Sequence, residues 1–230
     1  MRHRFGWILA MAMLAATAAA QTDGDPANWC RNGAFPSEIE EFKIGTIRAA
    51  KNEKVHFYND FEDNCPTSET CKEKSYVVTG DKLVVSRVFK GFLCSWFSPA
   101  KGMPTVGWIK REKVVITDAP ATPTLSDWVG KWRFAENTIT LTKNKLKGDL
   151  SVTGEAFWKG FGDNIHIGEL DHRAEPKGTL LKAGETDTDE YACKVSMQLI
   201  GSFLVVKDNM NCGGMNVTFS GVYRKASEKP

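Results

Sequence analysis

The sequence predicts an all-β protein made of two consecutive strand-rich halves. Short runs rich in Val, Ile, Phe and Trp alternate with turn residues, and no helical period lasts for more than two turns. Residues 118–127 contain two prolines and no apolar period, which is typical of a stiff, extended linker. We therefore expect a small barrel over 44–117 and an antiparallel barrel or sandwich of about seven or eight strands over 128–230, each a self-contained unit.

The first twenty residues have the pattern of a secretion signal. A basic start, Met1-Arg2-His3-Arg4, precedes an apolar run over 5–18, and the run closes on the small residues Ala18-Ala19-Ala20. We expect cleavage after Ala20 and release into the periplasm or the exterior. The apolar run is short for a membrane span, so no membrane insertion is expected after cleavage. Residues 21–43 then form an N-terminal arm.

The charge balance excludes one class of partner. The whole chain has 30 Lys and Arg against 28 Asp and Glu. Arg2 and Arg4 belong to the predicted signal, so the remaining chain is neutral, and its two halves are each balanced as well. Neither half has the basic excess that neutralises phosphates. The sequence therefore predicts no nucleic-acid partner.

Six cysteines in an exported chain predict three disulfides. Cys193 and Cys212 lie together in the C-terminal third, and we pair them. Cys65 and Cys71 flank a turn-rich stretch that suits a short bridge, which leaves Cys30 to tie the arm to Cys94. These last four cysteines allow three connectivities. The chain lacks the C-x-x-C spacing of thioredoxin-like redox motifs and zinc ribbons.

The N-terminal half begins with a short helix and continues as strands. Ser37 and Glu40 have the spacing of a capping box, which predicts a helix over 37–42. The predicted strands are 55–59, 76–78, 83–89, 92–98, 106–110 and 114–116.

Three segments of this half resemble a bacterial SH3-like domain. They are the stretch 76–89 with its Gly80-Asp81 turn, the aromatic stretch Gly91-Phe-Leu-Cys-Ser-Trp-Phe97, and Val106-Gly-Trp-Ile-Lys110. In that family a Gly-Asp turn opens a long hairpin, an aromatic strand follows, and a Gly-Trp strand leads into a last short strand. The resemblance covers roughly 44–117. It departs from the family at the insertion over 60–75, which carries two cysteines.

The C-terminal half alternates more regularly between apolar and polar residues. After a first strand containing Gly130-Lys-Trp132, the predicted strands are 138–143, 146–152, 164–169, 191–200, 203–207 and 215–224. Asn144-Lys145 makes a tight hairpin turn plausible.

Two resemblances concern this half. Gly130-x-Trp132 near the first strand and Arg224 in the last are similar to the lipocalin-like arrangement, which implies that the last strand lies beside the first and that Arg224 stacks on the Trp132 indole. The stretch 211–224 resembles the ending of bacterial periplasmic proteins, some of which are grouped by name with lysozyme inhibitors.

Catalytic motifs are missing from the sequence. There is no G-x-S-x-G elbow, H-E-x-x-H helix or Gly-rich phosphate loop, and a bridged cysteine supplies no thiolate. His166 and His172 lie about 20 Å apart on a continuous strand, too far to bind one metal unless the strand ends between them at Gly168, and His56 alternates with apolar neighbours. We predict no enzyme activity, no metal and no cofactor. The sequence leaves two alternatives open, an acid pair at Glu169 and Asp171 and a calcium loop at Asp187 and Asp189.

Aromatic residues are the candidate binding residues. Tyr58, Trp96 and Trp108 are candidates for a groove that binds a peptide or a glycan, with a place in the barrel core as the alternative. Phe157, Trp158 and Phe161 lie in a glycine-rich stretch that favours a loop with an exposed aromatic tip, again with the core as the alternative.

These observations favour binding over catalysis. We expect an exported protein that inhibits, or protects the envelope from, a cell-wall-lytic enzyme. The alternative is an envelope protein that binds peptidoglycan or a peptide through the SH3-like domain.

Overall fold

The computed structural model describes residues 29–31, 35, 42–99, 102–117, 122–144, 148–184 and 188–226. The predicted signal at 1–20 and all but the last residue of the predicted helix at 37–42 lie outside these residues. The described part of the chain is all-β, as predicted, and folds into two antiparallel sheets of seven and eight strands. No strand is shared between the two sheets.

The first sheet contains all six strands predicted for the N-terminal half and one more. Its strands are β1 Lys43–Ile47, β2 Val55–Tyr58, β3 Lys72–Val77, β4 Lys82–Phe89, β5 Phe92–Phe97, β6 Thr105–Lys110 and β7 Val114–Thr117. Their order across the sheet is β3-β2-β6-β5-β4-β1-β7. Strand β1 was not predicted from the sequence. Gly45 breaks the apolar alternation of this strand. The position requires glycine because a Cβ there would lie 2.5 Å from the Val114 side chain.

The turn before β4 forms as the sequence predicts. Gly80 has a φ of 94°, which a glycine adopts without steric cost. The Asp81 carboxylate accepts a 2.8 Å hydrogen bond from the Val78 backbone N–H, so the side chain closes the turn that leads into β4.

The second sheet forms a nearly closed barrel. It follows the short helix α1 Leu125–Trp128 and contains β8 Gly130–Phe134, β9 Asn137–Lys143, β10 Leu150–Lys159, β11 Ile165–Ala174, β12 Leu180–Ala183, β13 Val195–Ile200, β14 Phe203–Asp208 and β15 Gly221–Lys225. The order is β11-β10-β9-β8-β15-β14-β13-β12. The two edge strands, β11 and β12, follow each other in the chain and lie in contact. The number of strands agrees with the prediction, although β12 was not predicted.

The last strand lies beside the first, as predicted, but the predicted stacking of Arg224 on Trp132 is wrong. Lys225 pairs with Trp132 in the ladder, and Arg224 pairs with Arg133. Because successive side chains of a strand point to opposite faces, Lys225 shares the face of Trp132 and places its Nζ 5.2 Å from the indole centroid. Arg224 points to the other face, where it lies 4.8 Å over Phe203 and donates to the Ser98 carbonyl.

The predicted linker ends in a helix that begins at Leu125. Thr124 and Asp127 form a capping box that starts α1, and Trp128 at the end of α1 is buried. The Trp128 carbonyl accepts a 2.9 Å hydrogen bond from the Trp132 indole. The helix therefore belongs to the C-terminal domain, and the linker is shorter than residues 118–127.

The two sheets are joined by one apolar cluster, although the sequence predicted self-contained halves. The Trp96 and Phe134 rings approach to 5.3 Å across the junction. The Gln198 side chain accepts from the Phe42 N–H and donates to the Phe42 carbonyl. The other members of the cluster include Phe35, Trp108, Ile200, Phe203, Val205 and Val222. Phe35 and Phe42, two described residues of the N-terminal arm, therefore pack between the two domains.

All three predicted disulfides are confirmed. Cys30 is bonded to Cys94, Cys65 to Cys71, and Cys193 to Cys212. The first holds the arm against β5, and the last joins the β12–β13 connection to the β14–β15 connection. Three disulfides indicate an oxidising environment, extracellular or periplasmic.

The barrel interior is filled by side chains, among them Tyr223 at its last strand. The Tyr223 hydroxyl donates a 2.8 Å hydrogen bond to the Phe219 carbonyl, and burial raises the pKa of Tyr223 well above its usual range. Because the folded state keeps this proton while the unfolded state releases it near pH 10, Tyr223 stabilises the fold below that pH, and this contribution is lost as the pH rises further.

Replacing Tyr223 by Phe should therefore change how stability depends on pH. At neutral pH we expect Tyr223→Phe to lower the free energy of unfolding by about 1 kcal/mol, because one buried hydrogen bond is lost. Above pH 10 this difference should shrink, because ionisation of Tyr223 then stabilises the unfolded state of the wild type, and the variant has no phenol to ionise. Denaturant unfolding at several pH values measures both. Tyr191→Phe is the control because Tyr191 is exposed, and an undiminished difference above pH 10 would contradict the assignment.

Candidate functional site

The predicted groove of Tyr58, Trp96 and Trp108 does not form. Trp96 and Trp108 are 1% and 0% exposed, and Tyr58 is also buried. Tyr58 pairs with Trp108, and Trp108 pairs with Cys94, so these side chains form one row across the sheet. Trp96 lies two residues from Cys94 and therefore shares the face of that row. These residues contribute to the core, which was the alternative interpretation.

Two segments cover that row. The arm is held over it by the Cys30–Cys94 bond, and the insertion at 60–75 adds the buried Cys65–Cys71 pair to the same cluster. Both segments lie outside the strand pattern from which a groove was inferred. The groove prediction is wrong because it treated an internal face as a free one.

A charged groove of about 350 Å³ lies next to Tyr58. The Tyr58 hydroxyl donates to Glu69 over 3.2 Å, and Lys110 pairs with the same carboxylate at 3.7 Å. Burial raises the pKa of Tyr58, and the neighbouring Tyr58 oxygen raises the pKa of Lys110. We call this the Tyr58 groove; its other lining residues are Glu53, Lys54, Val55, His56, Lys72, Glu112 and Lys113.

An apolar surface lies at the end of the β10–β11 hairpin. Phe161 in the turn is fully exposed, and Phe157 on β10 is 38% exposed. Phe157 pairs directly with Ile167, and Ile165 lies two residues before Ile167 on the same face. Both isoleucines are about half exposed. We call these four residues the hairpin tip.

The tip projects beyond the rest of the sheet. Pairing between β9 and β10 ends at Thr138 and Glu155, whereas β10 continues to Lys159. Four further residues extend a strand by about 13 Å. Phe157 and Trp158 therefore lie on a strand and not in the predicted loop, and only Phe161 lies in the turn.

Hydrogen bonds hold the projecting strands in place. The Asn137 side chain accepts from the Phe157 N–H and donates to the Thr218 carbonyl. On the inner face, Trp158 lies 5.2 Å from the His166 ring, and His166 Nδ1 donates to the Met215 carbonyl. Trp158 thus supports the tip from behind. The tip is presented on an ordered support, which lowers the entropic cost of binding.

Phe157 and Phe161 are exposed, as the aromatic-tip interpretation expects, and their role in binding stays a prediction. Ile165 and Ile167 were not among the predicted site residues, although the alternation over 164–169 contained the signal. Once that run is paired with β10, its odd-numbered side chains must face outward with Phe157.

Carboxylates form the next rows on the same outer face. Glu155 pairs directly with Glu169, and Asp171 lies two residues further along β11. All three are exposed. Within the part of the chain that the structure describes, none of the three carboxylates has a hydrogen bond or an ion pair. We call these three residues the acidic row. Directly opposed like charges destabilise a sheet.

The remaining candidates lie apart from each other. His56 Nδ1 donates to the Glu73 carbonyl of β3, within the N-terminal sheet. Asp187 lies outside the described residues, and Asp189 accepts from the Tyr191 N–H. Among the described residues, no group of three His, Cys, Asp or Glu side chains is placed to hold a metal ion, and no helix is long and apolar enough to cross a membrane.

Comparison with known proteins gave no match to a family model, to a curated protein or to a solved structure.

Proposed function

We propose that this protein is an exported binding protein that inhibits a cell-wall-lytic enzyme through the hairpin tip. The carrying observation is a contiguous apolar surface on a projecting, hydrogen-bonded hairpin. A soluble protein that exposes a contiguous apolar patch usually does so to contact a partner. The three disulfides support a site of action outside the cytoplasm, in the periplasm or the medium.

The shape of the tip supports inhibition over a flat interface. A hairpin end that extends about 13 Å past its neighbouring strand can enter a cleft, which a flat face cannot. Aromatic and aliphatic anchors in a pocket are typical of the residues that dominate binding free energy. A cell-wall hydrolase has an open cleft for a glycan chain, so the tip and the cleft have complementary shapes.

A second candidate function belongs to the N-terminal domain. Its Gly80-Asp81 turn and the close approach of Gly107 to the Tyr58 carbonyl support an SH3-like barrel, in which the Tyr58 groove would hold peptidoglycan or a peptide. The groove carries both charge signs, which suits the amino and carboxyl groups of a stem peptide. Co-sedimentation with purified peptidoglycan tests this candidate, with Tyr58→Phe plus Lys110→Ala as the variant.

Replacing the two phenylalanines of the tip should strongly weaken inhibition without unfolding the protein. In a turbidity assay, wild-type protein should slow the clearing of cell walls by egg-white lysozyme or a phage muramidase. We expect Phe157→Ser plus Phe161→Ser to raise the inhibition constant at least about thirtyfold, because hot-spot residues contribute 2 kcal/mol or more.

The control is Phe61→Ser, which removes an exposed phenylalanine from the other domain and should leave inhibition unchanged. Unslowed clearing with both muramidases would refute the proposal. Co-sedimentation with peptidoglycan in that case would favour the second candidate.

A further inference from the structure

We infer that the partner of the hairpin tip is a protein whose contact surface is cationic around an apolar recess. This inference rests on the proposed function and specifies the chemistry of the partner. It combines two features of one face, the apolar hairpin tip and the acidic row that follows it on β10 and β11.

The two features are adjacent in the ladder. The Phe157–Ile167 pair is followed, two residues along each strand, by the Glu155–Glu169 pair. Side chains two residues apart on one face lie about 7 Å from each other. A partner that covers Phe157 and Ile167 therefore also covers both carboxylates or brings its own charges beside them.

No basic side chain directly faces the Glu155–Glu169 pair, although Arg173 lies two residues from Asp171 on the same face. Lys159 and Arg173 each lie four residues along the strand from the nearer glutamate, about 13 Å away, and Arg133 lies two strands from Glu155. Opposite charges on the two strands would stabilise the hairpin, whereas two glutamates destabilise it. A local conflict of this kind is typical of a functional surface. Lysine or arginine side chains from a partner would remove the repulsion.

Charge also decides between classes of partner. An apolar aromatic tip can enter a lipid surface, but bacterial and cytoplasmic leaflets are anionic, and the acidic row would be repelled there. A second copy of the chain would bring the same carboxylates against each other. A basic protein is attracted to the row and accommodates the tip, so it is the occupant that the surface favours.

The inference predicts association that depends on salt. Neutralising the opposed glutamates of the row with Glu155→Gln plus Glu169→Gln should slow association with immobilised egg-white lysozyme, a basic muramidase, about tenfold at low ionic strength. The difference should vanish near 1 M salt, where the screening length is about 3 Å. The same variant should melt at a temperature equal to or above that of the wild type, because the repulsion is gone. A purely structural role would instead lower the melting temperature.

Glu62→Gln plus Asp63→Asn is the matched control, since it removes the same two charges at exposed positions of the other domain. An unchanged association rate for the Glu155/Glu169 variant, with binding still lost on Phe157→Ser plus Phe161→Ser, would overturn the inference and leave the proposed function intact.

A peptide probe tests the inference even if the protein binds no cell-wall hydrolase. If the wild type binds neither muramidase, the proposed function fails, and the surface is tested with a synthetic peptide of alternating Lys and Leu. The inference expects this peptide to shift the amide NMR signals of residues 155–169, and a Lys–Gly peptide to shift them much less. Unshifted signals, or binding of anionic phosphatidylglycerol vesicles through the tip, would overturn it.

Discussion

Replacing Trp96 by Ala should lower the free energy of unfolding by about 3–5 kcal/mol, the usual loss for a large aromatic side chain in a core. Trp96 is fully buried and lies 5.6 Å from Phe35 of the arm and 5.3 Å from Phe134 of the second domain. The cavity would therefore open at the junction of three segments. Equilibrium unfolding in urea, followed by far-UV circular dichroism, measures the loss.

The position of Trp96 also predicts how the protein unfolds. Because one apolar cluster joins both sheets, the wild type should unfold in a single transition, and Trp96→Ala should separate it into two. Phe161→Ala is the control, since a fully exposed side chain contributes little to stability. Two transitions already in the wild type, or a loss below about 1 kcal/mol for Trp96→Ala, would show that the domains are independent.

Removing the Cys30–Cys94 bond should cost about 4 kcal/mol, twice the cost of removing Cys65–Cys71. The first bond joins residues 64 positions apart and the second only 6. In the chain-entropy model these separations correspond to about 4 and about 2 kcal/mol. Denaturant unfolding of Cys30→Ser plus Cys94→Ser, compared with Cys65→Ser plus Cys71→Ser, tests the ratio.

The Cys30–Cys94 variant should also expose apolar surface. Without the bond, the arm is held at the junction by the packing of Phe35 and the two hydrogen bonds between Gln198 and Phe42. We expect this variant, and not the Cys65–Cys71 variant, to bind a fluorescent probe of exposed apolar surface. Equal losses of stability and equal dye binding for the two variants would contradict the role given to the arm.

These stability predictions and the functional ones concern different surfaces. The junction around Trp96 holds the two sheets together, whereas Phe157 and Phe161 extend from the far end of a hairpin whose support is Asn137 and the loop around Met215. Substitutions at the tip should therefore change binding with little change in stability. Substitutions at Trp96 should instead lower stability with little change in binding, provided that the protein stays folded under the conditions of the binding assay.

The sequence by itself determined the class of fold, most of the strands and the Cys193–Cys212 bridge, and it predicted the other two bridges as one of three connectivities. Alternation with period two and frequent turn residues are local signals, and they remain readable wherever one face of a strand is buried and the other is free. They predicted β9 and the turn at Gly80-Asp81 for this reason. The pairings of the cysteines also came from chain position, because Cys193 and Cys212 had each other as nearest neighbours in their half.

Only the tertiary structure decided which faces are covered. Trp96 and Trp108 read as groove residues because nothing local shows that the arm and the insertion lie over them. Arg224 read as the partner of Trp132 because the pairing register, which places Lys225 opposite Trp132, is set by the neighbouring strand. The hairpin tip was visible only in part, since Ile165 and Ile167 join Phe157 through cross-strand pairing. Burial, register and the joining of surfaces depend on contacts between residues distant in the chain, and a local pattern does not contain them.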